Sequence, residues 1–389
     1  MAERIRAGIV GAGFAAGAHV EALRRVPGVE VAGIAASTPE RSRAAAARLD
    51  VATAFDGYEE LVASPDVDVV HDCAPNDLHD PVNAAALDAG KHLLSEKPLA
   101  LTSEQTARLT ARASAAGVVT GVCHNYRHYP LVRHAKELLA SGEHGTPHLV
   151  HGGYLQDWLL LRDDWNWRLV PERAGRSRAV ADIGSHWLDL AQYLTGARVA
   201  RVCARLSTLH GERLRPRGKV QTFASAPDRG AEAVRVDTED AASVLLELDD
   251  GATGAMTVSQ VSPGRKNRLH ITVDTRDLGI AWDQEDPNRL WLGRRDAANS
   301  VLMRDPSLLA SAAAPLARYP GGHEEGWADG LRNLMEDFYG AVAARRDGQP
   351  YDASFATFAE ADHVSRVVDA ILESDRAGAW VDVDGGVRE

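Results

Sequence analysis

Cysteine is scarce in this 389-residue chain: only Cys73, Cys123 and Cys203 occur, odd in number and without metal-site or disulfide spacing. That excludes a disulfide-stapled scaffold, and a reducing, cytoplasmic setting is expected. Basic runs are missing as well. The formal charge is −12, with acidic residues spread along the chain, so neither nucleic acid nor an anionic membrane surface is an expected partner. No segment approaches the roughly 20 apolar residues that a spanning helix requires. The opening "MAERIRAGIVGAG" lacks the apolar core and the small-residue cleavage site of a signal peptide. Internal repeats and low-complexity segments are also absent.

What remains is the composition of a globular protein too long for one ordinary core, so two domains are expected. In the first third, short apolar runs at Arg6 to Gly11, Val29 to Ser37, Val67 to Pro75 and Lys91 to Pro98 alternate with stretches rich in Ala, Leu and Arg; "GVVTGVCHN" closes the series. Continuous apolar strands separated by helices predict a parallel sheet covered on both faces. After residue 124 strand-like runs follow one another, from "HLVHGGYLQ" through "AASVLLEL" to "RLWLG", which predicts a mostly antiparallel open sheet. The expected fold is thus α/β, with a Rossmann dinucleotide-binding domain over 1–123 and an α+β domain over 124–389 for substrate binding and oligomerisation. Two late helices, near Glu325 to Arg345 and Ala353 to Asp375, are expected to pack back on the first domain. The Ala-rich stretch Ala310 to Ala317 reads as a mobile loop.

The first strand leads into "GAGFAAGAH". Gly11 permits a tight turn, Gly13 lets the backbone approach a pyrophosphate, and Ala16 stands where the third glycine of G-x-G-x-x-G often falls. Phe14 and Ala15 begin the helix whose free amides would face the phosphates. At the end of the second strand, where Asp or Glu usually reads the adenosine ribose, stands Ala36, followed by Ser37, Thr38 and Arg41. Nothing there repels a 2′-phosphate, and two hydroxyls and a guanidinium could bind one, which favours NADP over NAD. A turn made by Ser37 and Thr38 with a solvated Arg41 is the alternative.

"GAGFAAGAH", "APNDLH", "AGKHLLSEKPLA" and "DIGSHWLDL" in this order resemble the Gfo/Idh/MocA oxidoreductases over almost the whole chain. "HNYRHYP" followed by "GGYLQDW" is similar to sugar 3-dehydrogenases of the levoglucosan dehydrogenase type. The resemblance implies hydride transfer between NAD(P) and a secondary ring hydroxyl of a sugar, glycoside or cyclitol, C3 being one candidate position. It also implies a homodimer or homotetramer formed through the open sheet.

Such a reaction needs a proton acceptor and a group that stabilises developing alkoxide. Lys97 ends the fourth strand, on the edge where open parallel sheets build their ligand crevice. His186 has a near-neutral unperturbed pKa, and Asp182 one turn earlier could fix its tautomer. The resemblance assigns Lys97, Asp182 and His186 as the catalytic set, with Glu96 at the lysine junction. Read without it, Asp182 as a helix cap and His186 as a packed core residue stand equally open.

"DIGSHWLDLAQYL", Asp182 to Leu194, has the apolar spacing of one amphipathic helix with Asp182, His186 and Asp189 on one face, and Asp189 either binds substrate or supports the histidine. Pro75, Asn76 and His79 follow the third strand near the expected nicotinamide. Arg127, Tyr154, Asp157, Trp158, Trp165, Arg168 and His323 offer the aromatic faces and hydrogen-bonding groups of a sugar site, though each also suits packing or solvation. No metal site is expected, because a hydride acceptor removes the need for one. Two other functions remain open: a glycosidase-type enzyme that oxidises its sugar only transiently, and a non-catalytic sugar and nucleotide sensor.

Overall fold

The computed structural model describes residues 4–217 and 230–387. They form two compact units, one of 1–128 with 327–363 and the other of 129–326 with 364–389.

The first unit alternates strand and helix: β1 (Ile5–Val10), α1 (Phe14–Leu23), β2 (Val29–Ala35), α2 (Pro39–Leu49), β3 (Ala54–Phe55), α3 (Tyr58–Ala63), β4 (Val69–Asp72), α4 (His79–Asp88), β5 (His92–Ser95), α5 (Ser103–Ala116) and β6 (Thr120–Val122). The strands pair in parallel in the order β3-β2-β1-β4-β5-β6. Their apolar runs are continuous because alternate residues serve opposite faces. Ile9 and Val69 join one buried cluster, Val10 and Val70 the other. Local signals set the helix ends: Thr38 caps α2 ahead of Pro39, and Thr102 and Gln105 form a capping box on α5, which closes on left-handed Gly117.

The second unit begins with α6 (Pro130–Ala140), β7 (Leu149–Leu155), α7 (Pro171–Ala174), α8 (Ser185–Thr195), β8 (Val199–Ser207), β9 (Glu212–Arg215) and β10 (Glu232–Arg235). There follow β11 (Ala241–Leu248), β12 (Thr253–Ser259), β13 (Arg268–Asp274), β14 (Gly279–Asp283), β15 (Arg289–Gly293) and β16 (Ser300–Met303). After them α9 (Trp327–Arg346) belongs to the first unit, α10 (Phe358–Ala377) spans the division, and β17 (Val381–Asp382) and β18 (Gly386–Val387) return to the second. The large sheet runs β16-β15-β14-β13-β7-β12-β11-β8-β17-β18 and is antiparallel except for β7 with β12. In β11 Ala242, Val244 and Leu246 point inward while Ser243 and Leu245 face out, the alternation of a sheet covered on one side. No helix among the described residues is long and apolar enough to cross a membrane.

Two local expectations are corrected. "DIGSHWLDLAQYL" is not one amphipathic helix: Val180–Gly184 forms a π-turn, and α8 starts only at Ser185. Nor has α8 a polar face, because Ser185 to Ala191 are all buried where it lies on β7 and β13. The Ala-rich stretch is structured as well. Residues Ala314–Leu316 make a 3₁₀ turn, Ala313 is buried, and the Ala310 amide donates to His134 Nδ1 at 2.9 Å.

Just before β11 the second unit buries Arg178 and Arg213 against one carboxylate, Asp240. Asp240 Oδ2 also accepts the Leu209 amide at 2.6 Å. Burial alone would raise the Asp240 carboxyl, but the two guanidiniums hold it below the usual range. Asp240→Asn leaves two buried cations without their counter-ion and should cost on the order of 3–5 kcal/mol, read as a lower denaturant midpoint.

Candidate functional site

In the first unit the candidate groups gather at the carboxyl edge of the parallel sheet. Gly11 leaves β1 with φ +120°, and a Cβ on it would stand 2.3 Å from the Cys73 carbonyl oxygen beyond β4. Only glycine fits there. Gly13 is the N-cap of α1 and has no side-chain cap, and a Cβ built on it meets nothing within 4 Å. The first-turn amides, those of Phe14 and Ala15 among them, therefore open onto free space. The exposed Phe14 ring lies 5.6 Å from Trp327. From α2, Arg48 reaches the Ala12 carbonyl at 2.8 Å and brings a guanidinium to the turn. Open amides and a nearby cation fit a dinucleotide pyrophosphate.

Past β2 the Ala36 amide donates to Ser42 Oγ at 2.8 Å. Thr38 Oγ1 accepts the Arg41 amide as the cap of α2, and Arg41 Nη1 donates to Ser37 Oγ at 2.6 Å on the exposed rim. Thr38 thus has a structural duty of its own, while Ser37 and Arg41 form a pair at the ribose position.

Beyond β4, Pro75 precedes a 3₁₀ turn that starts at the buried Asn76. His79 is buried, with Nδ1 2.6 Å from the Pro98 carbonyl and Nε2 3.0 Å from that of Ala74, so it ties the β4 exit to the Lys97–Pro98 turn. Lys97 is half-buried at the end of β5, and its amide donates to Glu96 Oε2 at 3.1 Å. Burial would raise the Glu96 carboxyl, but a hydrogen bond from His19 and the Lys97 charge bring it to about 2, so it is ionised. Asp72, at the end of β4, goes the other way: burial lifts it to about 6. Its Oδ1 takes the Ala74 amide, and Oδ2 has no hydrogen-bond partner among the described residues. Arg127 is buried in an ion pair with Glu360 at 2.9 Å, a partner that accounts for it without a ligand.

In the second unit Asp182 sits in the π-turn. The N-cap of α8 is Gly184, without a side-chain cap, so capping does not explain Asp182. Asp182 Oδ2 accepts Gln260 Nε2 at 2.9 Å, and Arg168 Nε lies 3.2 Å from Oδ1. The orientation of Gln260 is set in turn, because Arg178, which can only donate, gives Nη1 to Gln260 Oε1 at 2.9 Å. His186 and Asp189 are buried on α8, and the His186 ring stands 6.2 Å from that of Tyr154. Tyr154 donates to Asn267 Oδ1 at 2.6 Å. Gln156 bonds the same oxygen and accepts from Trp158 Nε1.

Asp157 is bound to Lys266 Nζ at 2.7 Å. Trp158 and Trp165 pack on the small cluster of Leu159, Leu169 and Val236. His323 is exposed, and its carbonyl accepts from Arg304, whose guanidinium pairs with the buried Glu325. Sequence reasoning missed Arg48, Gln260, Arg178 and the partners of Glu96. For His71 a signal existed, since a histidine inside the apolar run of β4 must find a buried partner.

Two stability outcomes follow from these environments. Gly11→Ala should destabilise the fold by roughly 2–4 kcal/mol through its backbone clash, whereas Gly13→Val should melt like the parent and lose dinucleotide affinity in a fluorescence titration. Between about pH 4 and pH 6 Asp72 keeps its proton when folded and releases it when unfolded, so stability should fall as pH rises through that range and level off above it. Asp72→Asn should then melt higher than the parent at pH 8 and level with it at pH 4.

Residues 5–124 match the oxidoreductase family with the NAD-binding Rossmann fold, and residues 132–277 match the GFO/IDH/MocA C-terminal domain. Levoglucosan dehydrogenase of Pseudarthrobacter phenanthrenivorans is 29% identical over 402 residues, covering 98% of both chains. The solved oxidoreductase domain protein of Kribbella flavida superposes with a TM-score of 0.88 at 31% identity, covering 98% of this chain and 99% of that one. A levoglucosan dehydrogenase solved with NADH and L-sorbose gives 0.87 at 28%, with the same coverage. The glycine turn, the parallel sheet and the large mixed sheet are thus features of a family, and this chain belongs to the Gfo/Idh/MocA oxidoreductases, with their NAD-binding Rossmann domain.

Proposed function

We propose that the protein is an NAD(P)-dependent dehydrogenase acting on a secondary ring hydroxyl of a sugar, glycoside or cyclitol, with C3 as one candidate position. The observation that carries this reading is the shared edge of one parallel sheet: the open glycine turn after β1 and Lys97 after β5 both lie at its carboxyl end, where such folds bind ligands. The similarity to levoglucosan dehydrogenase supports a sugar as substrate. Gly11, Gly13, Phe14 and Ala15 hold the pyrophosphate, with Arg48 beside them, and Pro75, Asn76 and Glu96 border the ring end. A bound nicotinamide supplies the hydride acceptor or donor.

Lys97 donates to the reacting oxygen and offsets the charge that develops there. His186 moves the hydroxyl proton, and Asp182, an acceptor held by Gln260 and Arg168, orients it. Tyr154 and Asp189 border the His186 side, and Trp158, Trp165, Asp157 and His323 are candidates for the substrate's outer contacts. Ser37 and Arg41 favour NADP, since they offer a hydroxyl and a guanidinium where a carboxylate would repel a 2′-phosphate. The outward Leu245, Trp291, Val301 and Met303 of the large sheet support a homodimer or homotetramer, which a mass measured by light scattering would show.

A spectrophotometric screen of sugars and glycosides with NAD and NADP in parallel tests the reading. Stoichiometric NAD(P)H should accumulate; product formed without net reduction would instead indicate a transient-redox glycosidase, and binding without turnover a sensor. Lys97→Ala should lower kcat by roughly three orders of magnitude while dinucleotide affinity persists, and near-parental turnover would defeat its role. Asp182→Asn should lower kcat and displace the limb of the pH profile that His186 sets.

A further inference from the structure

Under Lys97 lies a buried polar chain that the hydride and proton steps leave unused. Glu96 Oε1 is 3.1 Å from His19 Nε2, His19 Nδ1 is 3.0 Å from His71 Nδ1, and His71 Nε2 is 2.8 Å from the Tyr339 hydroxyl. Glu96 directly follows β5, the others come from α1, β4 and α9 of the same unit, and His19, His71 and Tyr339 are all buried. Burying three polar side chains inside an apolar cluster is unfavourable unless each is satisfied, and the chain satisfies all of them. The other Glu96 oxygen receives the Lys97 amide.

We propose that His19, backed by His71 and Tyr339, is a positioning residue for Lys97: it fixes Glu96 as an oriented anion whose second oxygen holds the lysine backbone. The proposal rests on reading Lys97 as the group that acts at the substrate hydroxyl.

The donor inventory restricts the arrangement. An ionised Glu96 only accepts, so His19 Nε2 must carry a proton. Burial holds His71 neutral, with the neighbouring His19 acting in the same direction. With His19 neutral too, His71 donates from Nδ1 and Tyr339 donates to His71 Nε2. With His19 protonated, both bonds reverse and Tyr339 accepts. Every group stays paired in either state, and the bond to Glu96 is the same in both. The other titratable groups around Glu96 and His19 are Cys73, Cys123, Asp72 and Lys97. Burial keeps the Cys123 thiol protonated, and it donates to Glu96 as well. His19, Glu96 and Cys123 also bring one ligand atom each to within 4.8 Å of the others, so an ion is a competing occupant.

Nitrogen-15 spectra of the histidine-labelled protein test the chain without reference to activity, with His19→Gln supplying the assignment. His19 Nε2 should be protonated at every pH from about 6 to 9. A bare Nε2, whether the proton sits on Nδ1 or an added zinc ion occupies the nitrogen, overturns the proposal. In kinetics His19→Leu should lower kcat on the order of tenfold and displace its pH profile while KM moves less than about twofold, and His19→Gln, whose amide can still donate, should recover most of it. A folded His19→Leu protein with parental kcat and pH profile overturns the positioning role. Should that variant fail to fold, Tyr339→Phe serves: changed His71 nitrogen signals with a kcat lowered about threefold support the chain, and unchanged signals overturn it. An active Lys97→Ala enzyme would refute the reading of the lysine and leave the nitrogen result standing.

Discussion

The close approach of the β1 and β4 exits at Gly11 is the constraint on which the nucleotide-binding edge depends. With the Cys73 carbonyl oxygen 2.3 Å from where a Cβ would stand, the two strands can run side by side only if the residue leaving β1 has no side chain. That proximity turns the chain sharply into α1 and presents uncapped amides at its start. It also brings the β4 exit, with Asp72 and Asn76, alongside the glycine turn. In parallel pairing every strand delivers its carboxyl end to the same edge, so Lys97 follows from the register of β4 with β5.

Both units orient key carboxylates with buried donors. Glu96 is held by a histidine whose far side rests on a second histidine and a tyrosine, and Asp182 by a glutamine whose amide is itself oriented by a buried arginine. Each carboxylate is thereby kept as an acceptor in a fixed direction, which a flexible surface residue could not achieve. Asp72 is the contrast. Its buried Oδ2, without a hydrogen-bond partner among the described residues, favours the protonated form, so between about pH 2 and pH 6 the two neighbouring carboxyls differ in charge through their surroundings alone.

Relatives with the same two-unit architecture include a levoglucosan dehydrogenase and an oxidoreductase domain protein, each sharing under a third of residues with this chain. A fold retained at that identity rests on patterning and backbone geometry more than on particular side chains. Loops carry what the patterning does not dictate, such as Asp157 after β7, tied to Lys266, and the exposed His323 in its glycine-flanked loop.

The alternation of apolar runs and helices in the first third determined the parallel sheet, because a doubly covered strand must be apolar on both sides. Gly11, Gly13 and the lysine at the end of β5 were legible for the same local reason, and the strand-dense remainder announced a mostly antiparallel sheet, though not the parallel pairing of β7 with β12 inside it. Tertiary structure alone decided the rest. The stretch from Asp182 to Leu194 has helical periodicity, but packing on β7 and β13 buried its polar side and set Asp182 in a π-turn, which spacing along the chain cannot reveal. Arg127 was drawn to Glu360 and Arg178 to Asp240, partners 233 and 62 residues away. His19, His71 and Tyr339 met only because α1, β4 and α9 share one core, since a hydrogen bond between distant residues depends on the fold that brings them together.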